Sequence, residues 1–435
     1  MLVGVVTGVL AATQPPQVCT GAVQPSDDAY TKKPFVDGVF KFVGGEFHSW
    51  EGPVVDVTSP ITDGVTGKPA LIGRVPMMDE AAALEAVQAA AKAWDRGQGE
   101  WPQLSLAQRV DSLESCLHEL EASSRDEIIE VLLWEIAKNK GDAAKEFDRT
   151  MVFAREVMKA VRAFDTDSPF GEWVTVSGVR GRVRRGPIGV MLALAPFNYP
   201  LNEMYAMLIP SLLMGNVAVL KLPNIGGLAH VLTAKAFSKC LPPGVMNFIS
   251  GSGRVTCPPV MKSGLVDVLG FIGGSKAADA LVAAHPNPHR LKVFSQLEGK
   301  NLGIVLPDAD LEVAAEQCVL GATSYNGQRC TAIKLILVHD SIADKFLPKL
   351  LQKVGALKVG LPWEEGVAIT PLPEPSKPKY LRQLIEDAET HGAAVVNADA
   401  GGGNLAGQLF TPAVVYPVTS KMRLFHEEQF GPVIP

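Results

Sequence analysis

The chain reads as an α/β protein built around an open, mostly parallel sheet. Three observations predict this. Short apolar runs such as "GNVAVLKL" (215–222) have the near-continuous hydrophobicity of strands buried on both faces. A glycine- or proline-containing turn follows each run, and then a stretch with helical apolar spacing. The unit recurs along the chain, and repeated β-turn-α units feed parallel strands. Ligands of such sheets bind at the carboxyl ends of the strands, where turns lead into helix N-termini.

Taken in order, residues 1–12, "MLVGVVTGVLAA", lack a positive leader and read as a helix or strand rather than a secretion signal. From about 79 to 163 the pattern is helical. "DEAAALEAVQAAAKAWDRG" (79–97) has an acidic start, an alanine-rich body and a glycine stop, and helical spacing continues through 106–138. Strand-like runs then appear in "GRVRRGPIGVMLAL" (181–194), "GNVAVLKL", "PPGVMNFISGSG" (242–253) and "VDVLGFIGG" (266–274). The helical "LAHVLTAKAFSKCL" (228–241) and "SKAADALVAAHP" (275–286) lie between or after them. A second α/β block begins near Phe294: strand "LGIVLP", helix "DADLEVAAEQCVLGA", a glycine loop, strand "AIKLILVH" and helix "SIADKFLPKLLQKV". "TPLPEPSKP" (370–378) reads as a surface connection. The final "EEQFGPVIP" carries no capping element, as if it lay inside a domain.

The 435 residues allow two or three domains and a large core. Apolar residues are 47%, charged 20% and aromatic 7%, a folded and not a disordered composition. A net charge of -6 argues against nucleic acid or an anionic membrane as partner, and no apolar run is long enough for a transmembrane helix. None of the six cysteines has C-x-x-C spacing, and the eight histidines form no H-E-x-x-H-type cluster. The expectation is a reducing, cytoplasmic setting and no metal site.

Chemistry concentrates in a few places. Cys330, in "SYNGQRCTAIK" (324–334), follows a helix end in turn chemistry, precedes a strand and adjoins Arg329, whose charge favours the thiolate. A small buried hydrophobe is the alternative for any cysteine. Asn198, in "APFNYPLNEMY" (195–205), follows an apolar strand. It suits either a simple turn or an amide donating to a developing oxyanion. Lys221 ends a strand in "KLPN" and either snorkels to the surface or holds a nucleotide. Glycine turns at 251–253 and 273–275 suit a phosphate-bearing cofactor at helix N-termini.

In their order and spacing, "GPIGVMLALAPFNYPLN", "GNVAVLKLPN", "LPPGVMNFISGSG", "FIGGS", "NGQRCTAIK" and "EEQFGP" resemble the aldehyde dehydrogenase superfamily, from about Phe40 to the last residue. Within it, the chain most resembles the branch of non-phosphorylating, NADP-dependent glyceraldehyde-3-phosphate dehydrogenases. The resemblance implies a Rossmann-like cofactor domain (1–295), an oligomerisation hairpin near Glu172 to Arg185, and a smaller α/β catalytic domain (296–435). It implies that the family's chain continues past Pro435, carrying a further phosphate-binding arginine and a strand for subunit contact, and that the full-length protein is a homo-oligomer.

It also implies roles. Cys330 is the nucleophile, and Asn198 with the Cys330 N–H holds the oxyanion. Hydride leaves a thiohemiacetal to give a thioester that water hydrolyses. Lys221, Asn224, Gly253, Gly273, Gly274 and Glu428 contact the cofactor. NAD-preferring relatives carry a glutamate where Asn224 stands, so NADP is expected, with NAD possible. Arg149, Tyr199 and Arg329 hold the phosphate of the aldehyde.

Two stretches depart from the family pattern. The family's general base belongs to an E-L-G-G-K motif, and "QLEGK" (296–300) puts Gln296 in its place. A carboxylate follows at Glu298. If the segment is extended, the two side chains share a face, displaced by roughly 6–7 Å. Glu298 then either replaces the base or is structural. In "FIGGS", Ile272 and Gly274 stand where the family's threonine and serine do, leaving phosphate to backbone N–H groups and Ser275. The expected activity is NADP-dependent oxidation of glyceraldehyde 3-phosphate to 3-phosphoglycerate. The alternatives are a coenzyme A-acylating semialdehyde dehydrogenase and a nucleotide-binding protein with impaired deacylation.

Overall fold

The computed structural model describes residues 33–64, 66–166, 172–183 and 185–435. The reading of residues 1–12 lies outside the described residues, as do Cys19 and Arg184. The described residues form two compact units, one ending at Gly299 and the other spanning Lys300–Pro435.

After a short hairpin of Phe40–Val43 and Glu46–Ser49, the first unit has an antiparallel ribbon of β1 (Val54–Thr62) and β2 (Pro69–Pro76). Four longer helices and the short helix Glu100–Gln103 follow. In α1 (Glu80–Trp94) the Asp79 side chain accepts the Ala82 N–H, and a stripe of Ala82, Ala83, Ala86, Val87 and Ala90 is buried. A Ser105–Gln108 capping box starts α2 (Leu106–Ser123). Then come α3 (Arg125–Glu135) and α4 (Lys140–Thr166). The expected helical region is thus borne out.

The hairpin expected near 172–185 is present as β3 (Val174–Val176) and β4 (Val179–Gly181). Its two-residue turn has φ of 49° at Ser177 and 80° at Gly178, as a twisted hairpin requires. Val174, Val176 and Val179 are exposed.

The parallel sheet then assembles from four β-turn-α steps and a fifth, closing strand. In chain order these are β5 (Val190–Leu194), α5 (Pro200–Leu213), β6 (Val217–Lys221), α6 (Ala234–Cys240), β7 (Met246–Ile249), α7 (Gly253–Lys262), β8 (Val268–Ile272), α8 (Ser275–Ala284) and β9 (Lys292–Gln296). The order across the sheet is β7-β6-β5-β8-β9, all parallel. Every residue of β6 and β7 is buried, which explains their unbroken apolar sequence. β9 is an edge strand with exposed Val293 and Phe294.

The register places the strand ends level. Leu194 pairs with Lys221, Lys221 with Ile249, and Ile272 with Gln296. Strand order reverses beside β5, so the crevice for a ligand opens above the carboxyl ends of β5 and its neighbours. The loops carrying Asn198, Asn224, Gly253 and Gly273 all leave that edge.

In the second unit, β10 (Leu302–Val305) pairs in parallel with β11 (Leu335–Val338) across α9 (Leu311–Thr323). The Asp310 carboxylate caps α9. After α10 (Ala343–Gly355) and α11 (Lys377–Thr390) the chain reaches β12 (Ala413–Tyr416). One core cluster forms around α9 and α10, with Val305, Cys318, Phe346 and Leu350. A second forms around α11, with Leu381, Leu384, Phe410 and Leu424.

The proline-rich "TPLPEPSKP" segment corrects an expectation. Thr370, Pro371, Leu372 and Pro373 are buried, and Leu372 belongs to the α11 core. Proline lacks an N–H to satisfy, so such a segment can enter a core cheaply. The Thr370 N–H that must be satisfied donates to Asn326 Oδ1 at 2.9 Å.

Candidate active site

In the second unit, α9 ends at Thr323 and three consecutive residues take left-handed conformations: Tyr325 (φ 48°), Asn326 (φ 57°) and Gly327 (φ 70°). Only glycine fits the third position, because a Cβ on Gly327 would lie 2.6 Å from the Ala322 carbonyl oxygen and 2.7 Å from that of Gly431. Buried Asn326 fastens the turn to Thr370 by two bonds, 2.9 and 3.1 Å. The turn delivers Cys330 half-buried, with its carbonyl oxygen held twice: by Asn301 Nδ2 at 2.6 Å and by Lys334 Nζ at 2.8 Å. The Cys330 N–H takes no part in those bonds.

Lys334 is 1% exposed, and its ammonium also meets Glu428 Oε1 at 2.7 Å. One lysine thus joins the backbone of the cysteine loop to the carboxylate of the "EEQFGP" segment. That segment is secured further by Lys300 Nζ, which donates to the Glu427 carbonyl (2.9 Å) and Gln429 Oε1 (2.7 Å), and by Gln429 Nε2, which donates to the Lys334 carbonyl (3.0 Å). Burial, and secondarily the Lys334 charge, lower the pKa of Lys300 to about 7. Arg329 is half-buried beside Cys330 and donates to Thr331 Oγ1 at 3.3 Å. Asn301, Lys334, Lys300 and Gln429 were not singled out from the sequence. A lysine at the mouth of an apolar strand, in "AIKLILVH", was the one visible signal.

In the first unit, Asn198 sits on the loop from β5 to α5 and is 3% exposed. Its carbonyl oxygen accepts from Lys138 Nζ at 2.8 Å, and the same ammonium lies 3.5 Å from the Tyr199 ring centroid. Lys138 pairs with the Glu146 carboxylate, both side chains wholly buried. Glu146 also accepts from the Leu201 N–H (3.1 Å) and the Asn202 N–H (3.4 Å). Those are first-turn donors of α5 that no helical carbonyl can reach. Burial lowers the pKa of Lys138, and the Glu146 charge opposes the shift. The sequence analysis overlooked this pair, since neither residue stands in a turn or at a strand end. Arg149 is exposed one turn along α4 from Glu146, and its charge acts on Glu203 of α5. Asn198, Tyr199 and Arg149 are therefore brought together along the seam of α4 and α5.

Lys221 is 5% exposed and does not snorkel; its Nζ donates to the Leu222 carbonyl at 2.5 Å. Burial lowers its pKa. Asn224 is exposed and lines a cavity of about 260 Å³ together with Leu222, Pro223, Ser250, Gly251 and Ser252. The ten-residue α7 starts at Gly253, where a Cβ would lie 3.9 Å from Lys221 Cε. An apolar-walled cavity, a lysine, a neutral amide and a helix N-terminus without a side-chain cap form a set that fits a phosphorylated nucleotide.

The corresponding end of α8 is arranged differently. Gly273 donates to the Gln296 carbonyl at 3.1 Å. The strand ends at Gln296, and the Glu298 carboxylate accepts from the Ser275 N–H at 2.8 and 3.0 Å and from the Ser275 hydroxyl. These bonds lower the pKa of Glu298, the Ser275 hydroxyl most. A Cβ on Gly274 would lie 3.0 Å from Glu298 Oε1, so the glycine makes room for this contact. The chain's own carboxylate fills the anion seat of α8.

The first unit is a doubly wound α/β fold whose ligand edge lies at the carboxyl ends of its strands, and the second presents a thiol on a rigid turn. Residues 51–435 match the Aldehyde dehydrogenase family, and the chain belongs to it. It is 37% identical over 367 residues to the NADP-dependent glyceraldehyde-3-phosphate dehydrogenase of Streptococcus equinus, covering 84% of this chain and 74% of that one. It is 30% identical over 425 residues to the enzyme of the same name from Pisum sativum, covering 96% and 80%. The crystal structure of the NADP-dependent glyceraldehyde-3-phosphate dehydrogenase from Bacillus halodurans C-125, complexed with NADP, superposes with a TM-score of 0.80 at 30% identity, covering 91% and 80%. The family resemblance and the aldehyde dehydrogenase-like fold expected from the sequence are therefore borne out. Among the described residues no helix is long and apolar enough to cross a membrane.

Proposed function

We propose that this chain oxidises glyceraldehyde 3-phosphate to 3-phosphoglycerate with NADP, without inorganic phosphate, through a thioester on Cys330. The observation that carries the reading is the Cys330 loop. Asn301 and Lys334 tie down the carbonyl of that residue, so thiol and N–H are held on a backbone that need not reorganise during reaction.

In this reading the Cys330 sulfur attacks the aldehyde carbon. The oxygen that becomes negative is held by the Cys330 N–H and the Asn198 amide. NADP, when bound, accepts the hydride that leaves that carbon. Water then cleaves the thioester, releasing the acid and restoring the thiol. Lys221, Asn224 and the N-terminus at Gly253 hold the cofactor, while the Glu298 carboxylate takes the place of the second contact expected at the α8 turn of Gly273 and Gly274. Glu428, steadied by Lys334, holds the nicotinamide ribose. Arg149, Tyr199 and Arg329 hold the substrate phosphate; NADP is favoured because a neutral Asn224 does not repel a 2′-phosphate. The exposed hairpin β3–β4 supports assembly with further copies of the chain through its unpaired edge.

Incubation with this aldehyde and NADP should yield NADPH without added phosphate, with a first-turnover burst that Cys330→Ser abolishes. A strict need for inorganic phosphate would contradict hydrolysis of the thioester. A second reading is favoured by Gln296, which stands where the family places its base: coenzyme A takes the acyl group in place of water. Stimulation of turnover by coenzyme A, with acyl-coenzyme A as product, would select it.

A further inference from the structure

Two cysteines unused by this mechanism face each other across the packed helices α2 and α6. Cys116 is 1% exposed, and its Sγ lies 3.8 Å from the Ala236 carbonyl, the oxygen one helical turn before Cys240. Nearby on the same two helices, the Glu119 carboxylate pairs with the Lys239 ammonium. These two contacts hold the helices in the register that sets Cys116 opposite Cys240. The Cys116 sulfur thus lies against the turn of α6 that ends at Cys240, and both cysteines are free. Cys240 is the last residue of its helix and is half-buried, so its sulfur can be reached from solvent. The neighbouring Cys116 thiol lowers the pKa of Cys240 to about 7, with Lys239 assisting and Glu119 opposing.

We propose that Cys116 and Cys240 are a redox-active pair that closes to a disulfide by exchange with a small-molecule disulfide, cross-linking α2 to α6. The Cys240 thiolate attacks one sulfur of the incoming disulfide, breaks its S–S bond and expels one thiolate. The Cys116 sulfur then attacks Cys240 in the mixed disulfide, loses its proton to the expelled thiolate and displaces the second thiol. Two protein thiols are oxidised, and one small disulfide is reduced to two thiols. The buried cysteine resolves what the accessible one begins. A half-buried thiol at a helix end, with a buried thiol packed against the same helical turn, is placed for such a two-step exchange.

The test uses the whole chain carrying Cys330→Ser, so that the candidate nucleophile does not react. It is incubated with oxidised glutathione, its remaining thiols are alkylated, and the non-reduced digest is read by mass spectrometry. The expected result is one linked peptide joining Cys116 to Cys240, two protein thiols lost per chain, and recovery of both with dithiothreitol. In Cys116→Ser, glutathione should stay on Cys240. A glutathione adduct that persists on Cys240 while Cys116 remains alkylatable, or an unreacted pair, overturns the proposal.

Discussion

The Glu298 carboxylate accepts from the N–H and the hydroxyl of Ser275, at the start of α8, and is exposed. A carboxylate there is favoured by the helix dipole as well as by its bonds, and a favoured carboxylate is a weaker proton acceptor. Replacing it with a neutral amide frees the seat for a cofactor phosphate. Glu298→Gln is therefore expected to tighten NADP binding about 2–5-fold, the size of one charge–dipole interaction. Equilibrium titration measures this, and an unchanged Kd would show that the seat does not matter to the cofactor. Single-turnover kinetics on the same variant separate the other role. If Glu298 serves as base, the NADPH burst persists and steady-state turnover falls. At this scale the sequence was readable where chemistry is local. Cys330, Asn198 and Asn224 stand in turns whose composition announces them. The bond from Glu298 to Ser275 spans 23 residues, and nothing in "QLEGK" alone points to its partner.

The loop before α5 owes its place to another element. Lys138, just before α4, and Glu146, within it, form a buried pair that grips the Asn198 carbonyl on one side and the first N–H groups of α5 on the other. Removing one partner leaves the other charge in the interior without compensation. Lys138→Met is expected to destabilise the fold by about 3–5 kcal/mol, read by denaturant unfolding. Lys138→Met with Glu146→Leu should recover most of that stability. If the pair also positions Asn198, the NADPH burst rate stays low in the double variant; a burst restored along with stability would leave the pair a purely structural role. The helices themselves were legible, since capping residues and apolar spacing are written within each segment. Their pairing was not: Lys138 meets Asn198 across 60 residues, a contact that exists only once α4 and α5 pack.

Across the whole molecule, two buried titratable groups give stability opposing pH dependences. Burial, with no hydrogen-bond partner among the described residues, lowers the pKa of His230 from 6.5 to about 3. The unfolded chain takes up a proton that the fold refuses, so stability falls as pH drops from 6.5 toward 3, by roughly 1.4 kcal/mol per unit. Glu135 has the opposite sign. Burial raises its pKa to about 7 against the N–H bonds it accepts from Gly227 (2.9 Å) and Leu228 (3.1 Å). Below 4.5 it is neutral in both states. As pH rises from 4.5 to 7 the unfolded carboxyl ionises first, and stability is lost. The two slopes offset one another between 4.5 and 6.5. His230→Leu should therefore raise stability in acid and move the pH of maximum stability downward, which thermal unfolding across pH 4–8 would register. An unmoved maximum would mean that His230 is protonated in the fold.

What could be read from residues in order was whatever neighbouring residues decide among themselves: apolar runs that become buried strands, caps and glycines that start and stop helices, turn residues that expose a thiol or an amide. The parallel sheet, the family and the cysteine turn follow from such local rules, and from motifs whose spacing the chain carries openly. Packing alone decided which charges would be buried together. It turned the proline-rich segment inward to lock Asn326, drew Glu298 onto α8, seated Lys334 between Cys330 and Glu428, and set Cys116 against Cys240. Each of these is a contact between residues distant in the chain, made favourable by the loss of water around them, and desolvation is a property of the assembled interior that no short stretch of sequence possesses.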